Sequence, residues 1–339
     1  GGSVIRQYMV TVLLTGVGGA AGIGAVRSLR QTTDHELVGV DMDPEAAGLF
    51  LADAAAQVPP AAADDWVESM ARIARRHGVD VIVPTVDEEL PRLPELRAAL
   101  PEVGIVAPRQ EVIEIARDKY RTSHVLRAAG HAVPRTWLGT ATKEVPAAAY
   151  PLIGKPRVGR GSRGVERLDS PSAHQSYVES VDDPAGVVVQ ELIDGTEYTT
   201  SVVATGDDRL LGTVPKEAVE KQGSTVRGAT RDAPAVDAAC RGIHDTLAPA
   251  GPINVQQILS GGTAYTIEIN PRFSSTACLT VAAGVDELDL LIRDAAGETV
   301  DASGEYEPGT HLIRYLDHVI VDEERLEQTA DGSPMEPTQ

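Results

Sequence analysis

The 339-residue sequence is short of several residue types, and each shortage narrows the chemistry open to it. The two cysteines, Cys240 and Cys278, have no CxxC spacing, so they read as free thiols of a reducing compartment and not as a disulfide framework. The eight histidines are scattered singly, without HExxH or HxH, which argues against a zinc enzyme. Aromatic residues make up 4% of the chain and leave few platforms for stacking bases. Acidic residues outnumber basic ones by 50 to 30, and a net charge of −20 repels nucleic-acid backbones and anionic lipid. No run of about 18 apolar residues is present, and no basic-then-apolar leader opens the chain. These absences predict no nucleic-acid partner, no membrane partner and a cytoplasmic location. Lysine occurs five times, at 119, 143, 155, 216 and 221, so the basic charge is mostly arginine, a composition that suits salt tolerance.

What is present is a chain that is 42% hydrophobic and long enough for two or three lobes. Residues 1–8 read as a scar or short extension ahead of Met9 and are left out of the fold reading. Short apolar runs at 10–14, 36–41, 80–84 and 104–108 alternate with helical segments. That alternation predicts a doubly wound parallel sheet covered on both faces. The alanine-rich stretch 52–63 reads as a loop or helix edge. Residues 111–129 read as one helix ending at Gly130, and after residue 151 strands dominate, at 198–204, 209–214, 253–259 and 263–269. The acidic segment from Glu323 onward predicts a frayed tail. The boundaries that follow are a Rossmann-like lobe over 9–110, a second domain over 111–322 and a tail over 323–339.

Four segments carry candidate chemistry. GVGGAAG (16–22) follows a strand and opens a helix, with Asp41 about twenty residues on. Those are the ingredients of an NAD fingerprint, but the spacing is GxGGxxG, and a tight strand-to-helix turn needs the same glycines. GKPRVGRGSRGV (154–165) places Lys155 beside a flexible loop whose amides, with Arg160 and Arg163, suit phosphate; an exposed basic loop would look the same. In VVVQELIDGTEYT (187–199) a strand leads into a connector whose backbone could meet the edge of adenine, while Glu197 could accept from ribose hydroxyls. NVQQILSGGTAYTIEINPRFSS (254–275) is a hairpin turned at Gly261 and Gly262 that sets Gln256 near Glu268 and Asn270. One carboxylate with two amide oxygens is hard-oxygen chemistry suited to Mg²⁺ beside phosphates, with Arg272 on the same face for a developing anion.

The order of Lys119, GKPRVGRGSRGV, QELIDGTEY, NVQ and IEINPR resembles the ATP-grasp superfamily, and within it the large chain of carbamoyl phosphate synthase and its short single-unit relatives. GVGGAAG and VPTVDEEL (83–90) are similar to the pre-ATP-grasp domain of those proteins. The resemblance covers about 9–316. It implies a two-lobed ATP-grasp domain whose lid subdomain lies at about 130–190. It also implies ATP as the nucleotide and Mg²⁺, or Mn²⁺ in its place, as the metal. Lys119 and Lys155 would contact the α- and β-phosphates, with Arg160, Gly161 and Ser162 in the lid loop above them. Gln190 would stand near the adenine amino group, Glu191 and Ile193 would offer backbone to adenine, and Glu197 would clamp the ribose. Gln256, Glu268 and Asn270 would hold the metal. Arg272 would steady an acyl phosphate, and Lys216, with Lys221 and Ser224, would face the acceptor. The implied function is a ligase that activates a small-molecule carboxylate for attack by an amine or similar nucleophile. Dimers are common among relatives, so a homodimer is a further expectation. The chain has one ATP-grasp unit and no glutaminase nucleophile, which argues against full carbamoyl phosphate synthesis. Two other readings stay open: a non-catalytic ATP-binding sensor, and an NAD-dependent oxidoreductase using the first glycine turn.

Overall fold

The computed structural model describes residues 9–159, 164–301 and 305–331. The first lobe runs β1 (Thr11–Thr15), α1 (Ala20–Thr32), β2 (Glu36–Asp41), β3 (Ala54–Gln57), α2 (Trp66–His77), β4 (Val81–Val83), α3 (Leu93–Ala99) and β5 (Gly104–Ile105). Its five strands are all parallel, in the order β3-β2-β1-β4-β5. The central strands are apolar on both faces because helices cover both, so Leu13 and Leu14 are equally buried although they point opposite ways. Gly78 ends α2 in the left-handed region, its N–H returning to Ala74 and Arg75.

The strand β3 is a departure from the expected loop. Alanine has little intrinsic preference for strands, but here its small side chain lets neighbours lie close against the sheet edge. One of those neighbours is α10 (Glu323–Asp331), in the segment expected to fray. Leu326 packs on the core and Thr329 is fully buried, so this part of the tail is a docked helix.

The expected helix over 111–129 is two, α4 (Gln110–Arg117) and α5 (Lys119–Ala128), broken at Asp118. A four-stranded antiparallel sheet follows, built from β6 (Thr136–Leu138), β7 (Leu152–Pro156), β8 (Glu166–Leu168) and β9 (Val187–Glu191) in the order β6-β9-β7-β8, with α6 (Pro171–Glu179) packed beside it. It fills the stretch expected as a lid. A six-stranded antiparallel sheet comes next: β10 (Thr196–Ala204), β11 (Leu210–Gln222), β12 (Ser224–Thr230), α7 (Pro234–Leu247), β13 (Ile253–Ser260), β14 (Thr263–Asn270), α8 (Ala277–Ala282), α9 (Glu287–Ala295) and β15 (His311–Ile313). Its order is β14-β13-β10-β11-β12-β15.

One hydrophobic core joins the first lobe to this sheet. Val12, Leu14, Val26 and Leu29 share it with Val203, Val214, Phe273, Leu288 and Ile292. Helix α9, from late in the chain, therefore packs on β4 and β5 of the early parallel sheet, and α8 packs on α1. Among the described residues no helix is long and apolar enough to cross a membrane.

Candidate active site

The two antiparallel sheets face each other across a cleft of about 280 Å³. β7 contributes Ile153 and Lys155, β9 Gln190 and Glu191, β10 Glu197, β13 Gln256 and Ile258, and β14 Ile267 and Glu268. Two consecutive residues of one strand normally point to opposite faces. Here Gln256 pairs with Glu268 and Gln257 with Thr266, so Ile267 is an extra residue in a β-bulge. The bulge turns both Ile267 and Glu268 toward the cleft.

Lys155, 7% exposed, donates from Nζ to Gln190 Oε1 at 2.8 Å and to the Ile267 carbonyl at 3.4 Å. Burial pushes its ammonium down to about 8; Glu268 opposes this, Lys119 and Lys221 add to it, and Glu197 opposes it. Lys119, at the start of α5, donates to the Gly159 carbonyl at 2.7 Å and sits 3.8 Å from Glu268 Oε1. Asp118 sets that position. Its carboxylate caps α5 by accepting from Tyr120 and Arg121 N–H, both at 3.1 Å, and takes the Arg157 guanidinium at 2.7–3.0 Å. Burial pushes the Asp118 carboxyl up, but the Arg157 and backbone bonds hold it below the usual range. The Lys119 N–H closes onto the Arg157 carbonyl at 3.0 Å. One aspartate thus ties the helix bearing Lys119 to the root of the glycine loop.

A second cavity, of about 150 Å³, continues from the first past their shared residues Lys119, Gly159 and Glu268. Asp87, Glu88, Arg117 and Asn270 line it. Arg272 lies beside it, its Nε and Nη2 held by the two oxygens of Asp87 at 2.9 and 2.8 Å and its Nη1 donating to the Phe273 carbonyl at 3.1 Å.

The structure therefore brings Lys119, Lys155, Gln190, Glu191, Ile193, Glu197, Gln256 and Glu268 into one cleft, with Asn270 and Arg272 at its extension. The side chains of two of these already have partners within the protein. Gln190 is occupied on both sides, accepting from Lys155 and donating to Thr136 Oγ1 at 2.9 Å. The side chain of Glu191 turns to Arg135 Nη2 at 3.1 Å, and its N–H donates to the Arg135 carbonyl at 2.9 Å. Arg160, Gly161 and Ser162 lie outside the described residues.

Lys216 is a correction. Cross-strand partners align Glu268, Gln256, Thr199 and Lys216 in one row, which places Lys216 about 14 Å from Glu268 at about 4.8 Å per strand. It is wholly buried and donates to Ser201 Oγ at 2.6 Å and Thr280 Oγ1 at 2.7 Å. Ser201 in turn donates to Glu287 Oε1 at 2.7 Å. Burial pushes the Lys216 ammonium below its ordinary value, against the pull of Glu287. This is an internal charge pair bridged by hydroxyls, and it lines neither cavity. Lys221, expected with Lys216 at the acceptor, instead lines the first cavity, 2.6 Å from Glu197 Oε1.

The first glycine turn is packed against its own lobe. Gly18 N–H donates to Asp41 Oδ2 at 2.7 Å, and Asp43 N–H takes Oδ1 at 3.0 Å, so the carboxylate expected for a ribose is occupied. A Cβ on Gly18 would meet Ala46 Cβ at 2.9 Å, and one on Gly48 would meet the Val17 carbonyl at 2.0 Å.

Comparison with known proteins places both domains of the chain in known families. Residues 116–276 match the ATP-grasp domain family, and residues 12–107 match the PylC-like N-terminal domain family. The large chain of carbamoyl phosphate synthase from Halobacterium salinarum is 27% identical over 318 residues, covering 82% of this chain but 29% of its own length. That of Streptomyces griseus is matched over 18% of its length, so the chain spans under a third of these curated relatives. Biotin carboxylase from Campylobacter jejuni superimposes with a TM-score of 0.69 at 16% identity, over 89% of this chain and 74% of that one. L-amino acid ligase from Bacillus licheniformis gives 0.67 at 18% identity, over 88% and 77%. Matched in order over these two ranges, the chain carries a PylC-like N-terminal domain followed by an ATP-grasp domain.

Proposed function

We propose that the chain is an ATP- and Mg²⁺-dependent ligase that converts a carboxylate into an acyl phosphate and passes the acyl group to an amine or similar nucleophile. The observation that carries this reading is the convergence of Lys119, Lys155 and Glu268 at the junction of the two cavities. ATP occupies the first cavity, its base between the isoleucine walls near Leu192 and Ile193, its ribose at Glu197 and its phosphates on Lys155 and Lys119. The donor set of Glu268, Gln256 and Asn270 is hard oxygen and suits Mg²⁺, which when bound neutralises charge on the phosphates. The substrate carboxylate enters the second cavity, and its oxygen attacks the γ-phosphorus as ADP leaves. The amine then attacks the acyl carbon, phosphate departs, and the amine loses a proton. Arg272 steadies the acyl phosphate. Phosphoryl transfer of this kind needs positioning and charge neutralisation more than a protein nucleophile.

The test is Mg²⁺-dependent ADP release, screened against pooled amino acids and small carboxylates at high salt. ADP formed with particular pools supports the ligase and begins to identify its substrates. Thermal protection by ATP with no ADP from any pool would favour the sensor, and no protection at all would overturn the reading.

The depressed Lys155 adds a pH signature. Phosphate binds the protonated ammonium, so above about pH 8 the free protein must take up a proton to bind ATP. The Kd for ATP is expected to rise with pH from there, by up to about tenfold per unit. Calorimetry at pH 8.5 in buffers of different ionisation enthalpy should detect proton uptake, and Lys155→Met should remove it. A pH-independent Kd between 7 and 9.5 would contradict the assignment.

A further inference from the structure

We propose that Asp87, delivered by the N-terminal lobe, is a positioning residue that fixes Arg272 for the phosphoryl site. The inference rests on the reading of the cleft given above. The two carboxylate oxygens of Asp87 meet Arg272 Nε and Nη2 side by side, and both side chains are little exposed, at 14% and 13%. An arginine just past a strand end samples many rotamers; the paired carboxylate of Asp87, with the Phe273 carbonyl on Nη1, removes that freedom. Asp87 itself lines the second cavity with Glu268 and Asn270, so the guanidinium is held beside the cavity in which the acyl phosphate is proposed to form.

The support beneath Asp87 explains the first glycine motif. The loop after β4 is pinned to the end of β1. Thr85 N–H donates to Thr15 Oγ1 at 3.0 Å, Thr85 Oγ1 to the Thr15 carbonyl at 2.7 Å, and Thr15 Oγ1 to Glu89 Oε2 at 2.5 Å. Gly16 has φ of +59°, and a Cβ there would meet Val86 Cγ2 at 2.4 Å and Thr85 Oγ1 at 2.9 Å. The glycine lets Val86 lie down against the turn, and Asp87 projects from the loop so seated. A motif that reads as a nucleotide fingerprint thus serves as the bed for a residue that reaches across 185 positions to the other domain.

The test compares Asp87→Ala, Asp87→Glu, Arg272→Met and the Asp87→Ala/Arg272→Met double variant in the full chain. Asp87→Ala is expected to lower kcat for ADP release by about 10²-fold, with KM for ATP changed less than about threefold. Asp87→Glu should recover part of that loss, and the double variant should be no slower than Arg272→Met alone. Losses that multiply in the double variant, or an Asp87→Ala enzyme with wild-type kcat, overturn the proposal. A second measurement does not depend on turnover: the Arg272 Nε–H NMR signal, assigned by its loss in Arg272→Met. Slow exchange in the wild type, lost in Asp87→Ala and restored in Asp87→Glu, supports the positioning; a signal unchanged in Asp87→Ala overturns it. Should the wild type release no ADP with any pool, the ligase reading fails and the NMR measurement still decides this one.

Discussion

Glu268→Gln is expected to lower Mg²⁺-dependent ADP release by about 10²–10³-fold while the melting temperature stays within about 3 °C. Two losses combine. The substitution removes the one carboxylate among the three oxygen donors Gln256, Glu268 and Asn270, and with it the charge that draws a divalent cation. It also removes the partner 3.8 Å from Lys119 and the carboxylate that supports the Lys155 ammonium. Lys155 should then lose its proton at lower pH, so the defect should deepen between pH 7 and 8.5. The fold should survive because Glu268 is part-exposed at the cleft and the neutral amide keeps its shape. A coupled assay for ADP and a thermal melt, run together, check this; wild-type release by Glu268→Gln would remove the metal assignment.

Glu287→Leu is expected to have the largest effect on stability, a loss of about 3–5 kcal/mol, because it leaves the wholly buried Lys216 without its compensating charge. Lys216→Met should lose a comparable amount by stranding Glu287. The double variant Lys216→Met/Glu287→Leu should recover much of either loss, since two apolar side chains can fill a site from which both charges have gone. Denaturant unfolding of the four proteins gives the coupling directly. Additive losses would mean that Ser201 and Thr280 satisfy each charge separately, and that the two are not a pair. A catalytic Lys216 would behave otherwise, with a collapse of turnover at unchanged stability.

The order of elements was readable because a parallel sheet covered on both sides leaves continuous apolar runs, as in β1, β2 and β4. That Lys119, Lys155 and Glu268 would meet in one cleft was readable in outline because they stood in the motif order that resembles the ATP-grasp superfamily. What escaped the sequence depended on contacts between distant segments or on backbone irregularity. Alanines 54–56 carry no strand signal, and what makes them a strand is the sheet edge they complete. The bulge at Ile267 leaves no mark in NVQ or IEIN. Lys216 reads as an acceptor lysine, while Thr280, which accepts from it, and Glu287, which it meets through Ser201, lie far along the chain. Asp118 could have been found: an aspartate followed by a helical run is an N-cap signal, and it would have split the long helix at the right residue.

The core shared by α1, α8 and α9 has a consequence for how the protein is made. The parallel sheet is encoded first, but α9, which completes the cover begun by α1 on one face, is encoded more than 250 residues after α1 begins. At about 5–20 residues per second, α9 leaves the ribosome tens of seconds after α1. During that interval α1 already packs on β1, while the part of the sheet at β4 and β5 lacks the α9 that covers it in the finished fold. Final closure of that face is therefore a late, long-range event that waits for α9.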